Sequence, residues 1–477
     1  MAESLKHKTF KGTVWSSIER FSVQGVAFVV MIIMARILTP ADYGLVGMLT
    51  IFIAISQSLI DCGFSQALIR KQGRTEVDNS TVFYFNIAVG FLLYAILFFA
   101  APLIADFYEE PQLVILTRVL CVSVFLNSLV VVQRALLTVE IDFKTQAKAS
   151  FIGAIAAGVI GVWSAYGGYG VWAIVYYQLS NILINVVLLW ILSKWRPKWT
   201  FSWKSFKELF GFGSKLAGSG LIDTLYNNIY LVVIGKVFKA SDLGYYSRAS
   251  QFAQFPSSNF TGIIQRVTFP VLCSIQNNDE KLKHAFINFI RISALIVFPM
   301  MVGLAILAKP LIIIVLKVQW VFSANLLSII CFSLLWFPIH ALNLNLVLAK
   351  GRSDYILKAE VMKKVIGISL LCLTIPLGLK AMCYASILTS ILSLIVNAHY
   401  TGNVIGVGFC LQIKNLMPTI IIVSGMSLVV LLASSLFSAP WLKLLIGSLI
   451  GILFYSIAIR VFNAKDYKAL ISFIKSR

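Results

Sequence analysis

Apolar runs near or above about 20 residues recur along the whole 477-residue chain, and this leaves few folds open. Each run is long enough to cross a hydrocarbon core of about 30 Å as a helix. An ordinary soluble globule has an apolar share of about 45–50%, whereas this chain is 59% hydrophobic and 12% charged, with a mean hydropathy of +0.88. About fourteen spans are expected, near 12–37, 43–69, 80–105, 113–138, 147–166, 168–193, 210–235, 244–273, 286–308, 322–349, 355–377, 380–401, 415–437 and 440–462. The first, seventh and eighth are the least secure. They carry Glu19 and Arg20, Lys215 and Asp223, and Arg248 and Arg266, so a hydropathy criterion can lose one of them.

Short connections such as Tyr166 to Tyr169 make neighbouring spans antiparallel. The longest polar interval, Ser193 to Lys207, is too short to bury a core of its own, so no soluble domain is expected. The basic N-terminus leads straight into a full-length span, and no cleaved signal peptide is expected. With a cytoplasmic N-terminus, roughly 24 Lys and Arg fall on the cytoplasmic side against about 7 outside, a positive-inside bias. Both termini are then cytoplasmic. Asp106, Glu109 and Glu110 lie on the opposite side with no lysine near them in sequence. The net charge of +21 reads as topology and anionic-lipid attraction. Nucleic-acid binding would need a solvated basic module, and the sequence has none.

The chain also carries an internal echo. Ala35 to Leu45 reads ARILTPADYGL, and about 200 residues later Gly235 to Tyr245 reads GKVFKASDLGY. The shift sets Arg36 on Lys236, Asp42 on Asp242 and Gly44 on Gly244, each copy between two apolar runs. Any short helix–helix connection shares some of these features. The alternative is a parallel repeat of six helices, related by an axis along the membrane normal. The expected architecture is an all-α integral membrane protein with two six-helix lobes and two further helices. Its parts are residues 1–193, a cytoplasmic amphipathic connection at 194–209, residues 210–401, and two extra helices with a basic tail at 402–477. Aromatics alternate with lysines through Trp195, Trp199, Phe201, Trp203 and Phe206, as suits an interfacial segment.

Several stretches resemble the bacterial polysaccharide flippases of the multidrug/oligosaccharidyl-lipid/polysaccharide exporter superfamily, of the colanic-acid type. They are GTVWSSIERF at 12–21, ARILTPADYGLVGM at 35–48, DCGFSQALI at 61–69, IGKVFKASDLGYYSRASQFAQFP at 234–256 and RVTFPVLCSIQ at 266–276. The resemblance is weakest beyond about residue 400, and it departs at Cys273, where a small polar residue is expected. It implies translocation of undecaprenyl-pyrophosphate-linked oligosaccharide across the inner membrane, in the assembly of capsule, O antigen or exopolysaccharide. The expected partners are that lipid-linked oligosaccharide, membrane lipid and other polysaccharide assembly proteins.

The greasy tail of such a cargo can stay in lipid, but its pyrophosphate and sugars need a polar, cationic cavity. Lone charges in hydrocarbon are costly, so charges within spans are expected to face such a cavity. Arg20, Lys215, Arg248 and Arg266 form the candidate substrate-binding set. Each has a plainer reading as a side chain snorkelling to the interface, which suits Arg266 near its span's inner end best. Arg118, Arg134 and Arg291 lie nearer span ends and read as anchors. Asp61, Asp223 and Glu19 are candidates for a coupling Na+ or H+, with structural ion pairing as the alternative. His340, after Pro338, reads as a proton relay or, more commonly, a hydrogen-bonded core histidine.

No G-x-x-x-x-G-K-[ST] occurs, so ATP hydrolysis is unsupported. The seven cysteines are scattered without a C-x-x-C and read as small apolar fillers, so neither a metal site nor a catalytic site is expected. A drug or cation antiporter would share the fold but favours an acid-rich chamber. A membrane polymerase or ligase would need a sizeable outer loop, which is not seen.

Overall fold

The structure, a computed structural model, describes residues 2–61 and 63–462; at residues 2–14, 16–18, 20, 215, 216 and 219 it describes the backbone alone. The basic tail expected after residue 462 and Cys62 lie outside the described residues. Every regular element among the described residues is helical. In chain order they are α1 (Ala2–Ala35), α2 (Pro40–Asp61), α3 (Phe64–Arg70), α4 (Glu76–Tyr108), α5 (Leu113–Leu120), α6 (Val122–Ser128), α7 (Val131–Val139), α8 (Phe143–Tyr166), α9 (Val171–Leu192) and α10 (Trp203–Val237). There follow α11 (Ala240–Ser274), α12 (Asp279–Ile306), α13 (Ala308–Leu316), α14 (Val321–Leu334), α15 (Phe337–Ala349), α16 (Ser353–Thr374), α17 (Leu379–Ile405), α18 (Phe409–Ser435) and α19 (Pro440–Phe462).

Ten segments among the described residues are long and apolar enough to cross a membrane, which makes this a multi-pass membrane protein. The expected spans that miss that standard are α1, α10, α11 and α16, helices of 34, 35, 35 and 22 residues. Three were the insecure ones. The fourth, α16, carries Lys358, Glu360, Lys363 and Lys364, with Lys363 paired to Glu360. A long helix with a polar stripe is stable beside lipid only when that stripe meets other helices or water.

Three expected spans are broken, that at 43–69 between α2 and α3 among them. The segment at 113–138 forms α5, α6 and α7 rather than one helix. Asn127 Nδ2 donates to the Ser123 carbonyl at 2.9 Å and Ser128 Oγ to that of Phe125 at 2.6 Å. Short polar side chains that bond the preceding turn tighten and bend a helix, and Leu129 and Val130 follow with tight bonds three residues back. Farther on, Pro338 sits in the first turn of α15, so the apolar run at 322–349 stops and restarts there.

The chain divides into two compact units, Met1–Gly244 and Tyr245–Arg477, the boundary falling inside α11. In the first unit α8 packs on α1 and α9, and α10 runs along α2. Both copies of the echoed turn meet there. Thr39 N donates to Asp42 Oδ2 at 2.8 Å, and Lys239 N to Asp242 Oδ2 at 3.4 Å, so each acid caps the start of its own helix. A methyl group built on Gly44 would collide with the Ala240 carbonyl, and one on Gly244 with the Pro40 carbonyl. Only glycine permits so close a backbone approach.

The connection between α9 and α10 is an extended strap rather than a free loop. Lys198 N donates to Ser80 Oγ and Ser202 N to Thr81 Oγ1, both at 3.0 Å, while Trp195 Nε1 reaches Glu76 Oε2 at 2.9 Å. Trp195 packs edge-on against Phe83 and Trp199 stacks on Tyr84. Lys71 bridges Asp78 and Glu208, at 3.0 Å to each. Burial alone would lower the Lys71 ammonium's pKa, but its bonds to Glu208 and Asp78 raise it above the ordinary value.

In the second unit α12 is central, packing on α14, α15 and α18, with α19 against α18. Phe286, Phe298 and Trp320 are fully buried, and Tyr245 meets Trp320 edge-on.

Candidate functional site

The first unit contains a polar cavity of about 570 Å³ set among apolar helices. Gln57, Ser58 and Asp61 reach it from the last turns of α2, and Ser65 from α3. Asn127 comes from α6, and Val131 and Arg134, three residues apart on one face, from α7. Thr224, Asn227 and Asn228 come from α10. The helices approach closely beside it, for a Cβ on Gly220 of α10 would lie 3.4 Å from Ser58 Oγ.

Asp61 ends α2, and Gly63 in the left-handed region turns the chain into α3. Ser65 Oγ donates to Asp61 Oδ1 at 2.6 Å, so the carboxylate also secures the start of α3. Across the cavity, Arg134 is solvent-accessible although helices surround it, because it faces the cavity. Its guanidinium donates to Asn185 Oδ1 of α9 at 2.9 Å and is attracted by Glu19. Glu19 in turn accepts from Ser150 Oγ of α8 at 2.9 Å.

The candidates from the sequence therefore separate. Asp61 lines the cavity, and Glu19 is half-buried on α1, coupled to the cavity's arginine. Asp223 is exposed on α10. The side chains of Arg20 and Lys215 lie outside the described residues. Arg248 is half-buried and Arg266 exposed on the part of α11 that belongs to the second unit. Arg134, read from the sequence as an anchor, is the one cation among the described residues of the cavity wall. Its spacing from Val131 was the signal that could have found it.

The acids at the α4–α5 turn also gain an unexpected partner. Lys236 Nζ lies 2.8 Å from Glu109 Oε1, although 127 residues separate the two in sequence. The Lys236 ammonium holds the Glu109 carboxyl below the usual carboxylate range.

In the second unit the polar residues close on each other. Asn343 Oδ1 accepts from Thr401 Oγ1 at 2.7 Å and from Gln412 Nε2 at 2.8 Å, and Asn343 Nδ2 donates to Gln412 Oε1 at 3.1 Å. Asn397 Nδ2 lies 3.2 Å from His340 Nδ1, and His340 Nε2 lies 3.2 Å from Ser390 Oγ. An amide nitrogen can only donate, so Nδ1 accepts and Nε2 carries the proton. Ser390 Oγ passes its own hydrogen to the Ser333 carbonyl at 2.7 Å. The geometry is that of a hydrogen-bonded core histidine. Among the described residues no group of three or more His, Cys, Asp or Glu could hold a metal ion.

Comparison with known proteins gives consistent results. The profile of the family described as "Polysaccharide biosynthesis protein" matches residues 33–325. The teichuronic acid biosynthesis protein TuaB of Bacillus subtilis (strain 168) is 26% identical over 357 residues, 74% of this chain and 73% of that protein. The lipopolysaccharide biosynthesis protein WzxC of Escherichia coli (strain K12) is 26% identical over 366 residues, covering 76% and 74%. Among solved structures, the lipid II flippase MurJ in an inward closed conformation superposes with a TM-score of 0.77, covering 96% of this chain and 100% of that one. At 16% identity that likeness concerns the fold.

Proposed function

Because the chain belongs to the polysaccharide biosynthesis protein family, we propose that it flips undecaprenyl-pyrophosphate-linked oligosaccharide from the cytoplasmic to the outer leaflet of the bacterial inner membrane. The observation that supports this most is the water-accessible polar cavity inside an otherwise apolar helical unit. A membrane protein with no polar cargo has no use for such a space, since each polar group in lipid must otherwise be satisfied internally.

In this reading α1, α10, α11 and α16 cross the membrane along with the ten apolar segments, giving fourteen spans with both termini cytoplasmic. Their polar stripes face a cationic central path while the lipid tail trails in the bilayer. Arg20, Lys215, Arg248 and Arg266 contact the pyrophosphate, and a Na+ or H+ at Asp61, Asp223 or Glu19 drives alternating access. The protein is a transporter and not an enzyme.

The test is flipping by the purified full-length chain in liposomes, scored with a lipid-linked oligosaccharide from a producing host. In cells, Arg20→Ala and Arg248→Ala are expected to abolish glycan surface display at normal membrane abundance. Persistent display in both variants would remove the pyrophosphate assignment. Resistance to cationic dyes without any effect on glycan display would instead favour an antiporter.

A further inference from the structure

The wall of the first unit's cavity is chemically unlike a phosphate site. Among the described residues its charged members are one acid and one base, Asp61 and Arg134, and these two supply no excess positive charge to offset desolvation of a pyrophosphate. Among the described residues the one cation, Arg134, commits part of its guanidinium to Asn185 Oδ1 at 2.9 Å.

The hydrogen-bonding polarity points the same way. Asn127 and Asn228 each return an amide hydrogen to their own helix, at 2.9 Å to the Ser123 carbonyl and 2.8 Å to the Thr224 carbonyl. Each keeps its amide oxygen as an acceptor and one further N–H as a donor. Asp61 is an acceptor only, with Ser65 on one oxygen. A phosphate only accepts, so these oxygens repel it. A sugar hydroxyl donates and accepts at once, and an amide or carboxylate oxygen suits it. The volume of about 570 Å³ falls within the about 300–1,000 Å³ of small-molecule sites and accommodates a few sugar rings.

We propose that this cavity is a subsite for the neutral sugar hydroxyls of the cargo's head group, distinct from whatever holds the pyrophosphate. The inference rests on the transport reading above and adds to it which part of the cargo is read here and by which residues.

The experiment compares two probes in liposomes containing the full-length protein. One is polyprenyl-pyrophosphoryl oligosaccharide extracted from a producing host, and the other is the same carrier bearing a single sugar. In Asn228→Leu and Gln57→Leu the ratio of oligosaccharide to single-sugar flipping is expected to fall about tenfold, the scale of one lost hydrogen bond. An unchanged ratio overturns the proposal, whether both rates drop together or neither does. Gel filtration and melting separate a folding loss from a binding loss. If Asn228→Leu fails to fold, Asn227→Leu, at an exposed position on the same wall, takes its place. A wild-type protein that moves neither probe sinks the transport reading itself, a result that needs no variant.

Discussion

In the second unit, Asn343, Thr401 and Gln412 direct their side-chain groups at one another, and all three are almost fully buried. In the first unit, Asn127, Asn228 and Asp61 carry similar groups, yet each leaves an acceptor facing an accessible space. The residue types are nearly the same and the bookkeeping of donors and acceptors is opposite. Capacity used up inside the protein holds helices in register, whereas capacity left over is available to a solute. The placement of a polar residue in an apolar segment is thus less informative than whether its partners are already supplied.

That contrast can be broken most directly in the closed network. Asn343→Leu removes four hydrogen bonds, three to side chains and one to the Ile339 carbonyl, each worth about 0.6 kcal/mol in membrane proteins, and leaves Gln412 Oε1 without its donor. A loss of about 2–3 kcal/mol is expected, read as a lower melting temperature in detergent. An unchanged melting temperature would deny the network its structural role. His340→Phe strands Asn397 and Ser390, and about 1–2 kcal/mol is expected by the same measurement. For Asn228→Leu in the cavity, the expected change in stability is below about 0.5 kcal/mol, with the effect appearing in cargo preference instead. If its melting temperature fell as far as that of Asn343→Leu, the two regions would be alike after all.

The smallest effect concerns Glu109. Its carboxyl titrates below the ordinary range because of Lys236, so the pair's contribution is present above the unfolded carboxyl's pKa. It is lost as pH falls through the lowered folded value. Because the pair is exposed and screened by salt, Glu109→Gln is expected to flatten only the acid end of a melting-temperature profile taken against pH.

The apolar segments were legible because a bilayer-length run needs nothing but length and composition; the bounds of α8, α9 and α19 fall close to those expected. The echoed turn was legible as two matching helix–helix connections, while the capping by Asp42 and Asp242 came only with the structure. The breaks at Cys121 and at Leu129–Val130 were not, because the side-chain bonds of Asn127 and Ser128 that bend the chain have no hydropathy signature. The cavity was half visible. Asp61 stood out as an acid at the end of an apolar run, but Arg134 looked like a helix-end anchor. Only the packing of α10 on α2 and of α7 on α3 brings the two to one cavity. Nor could the sequence pair Lys236 with Glu109, since tertiary packing brings them together.

The two interlocked glycines constrain how this gene can change. Each copy of the turn supplies a notch, Gly44 or Gly244, and a tooth, the backbone carbonyl of Pro40 or Ala240. A tooth made of main chain is indifferent to its own side chain, and those positions hold proline in one copy and alanine in the other. A notch tolerates no side chain at all. Each copy of the turn is thus the other's mould: open to any side chain wherever only its backbone is touched, and closed to all of them where the opposite copy presses in.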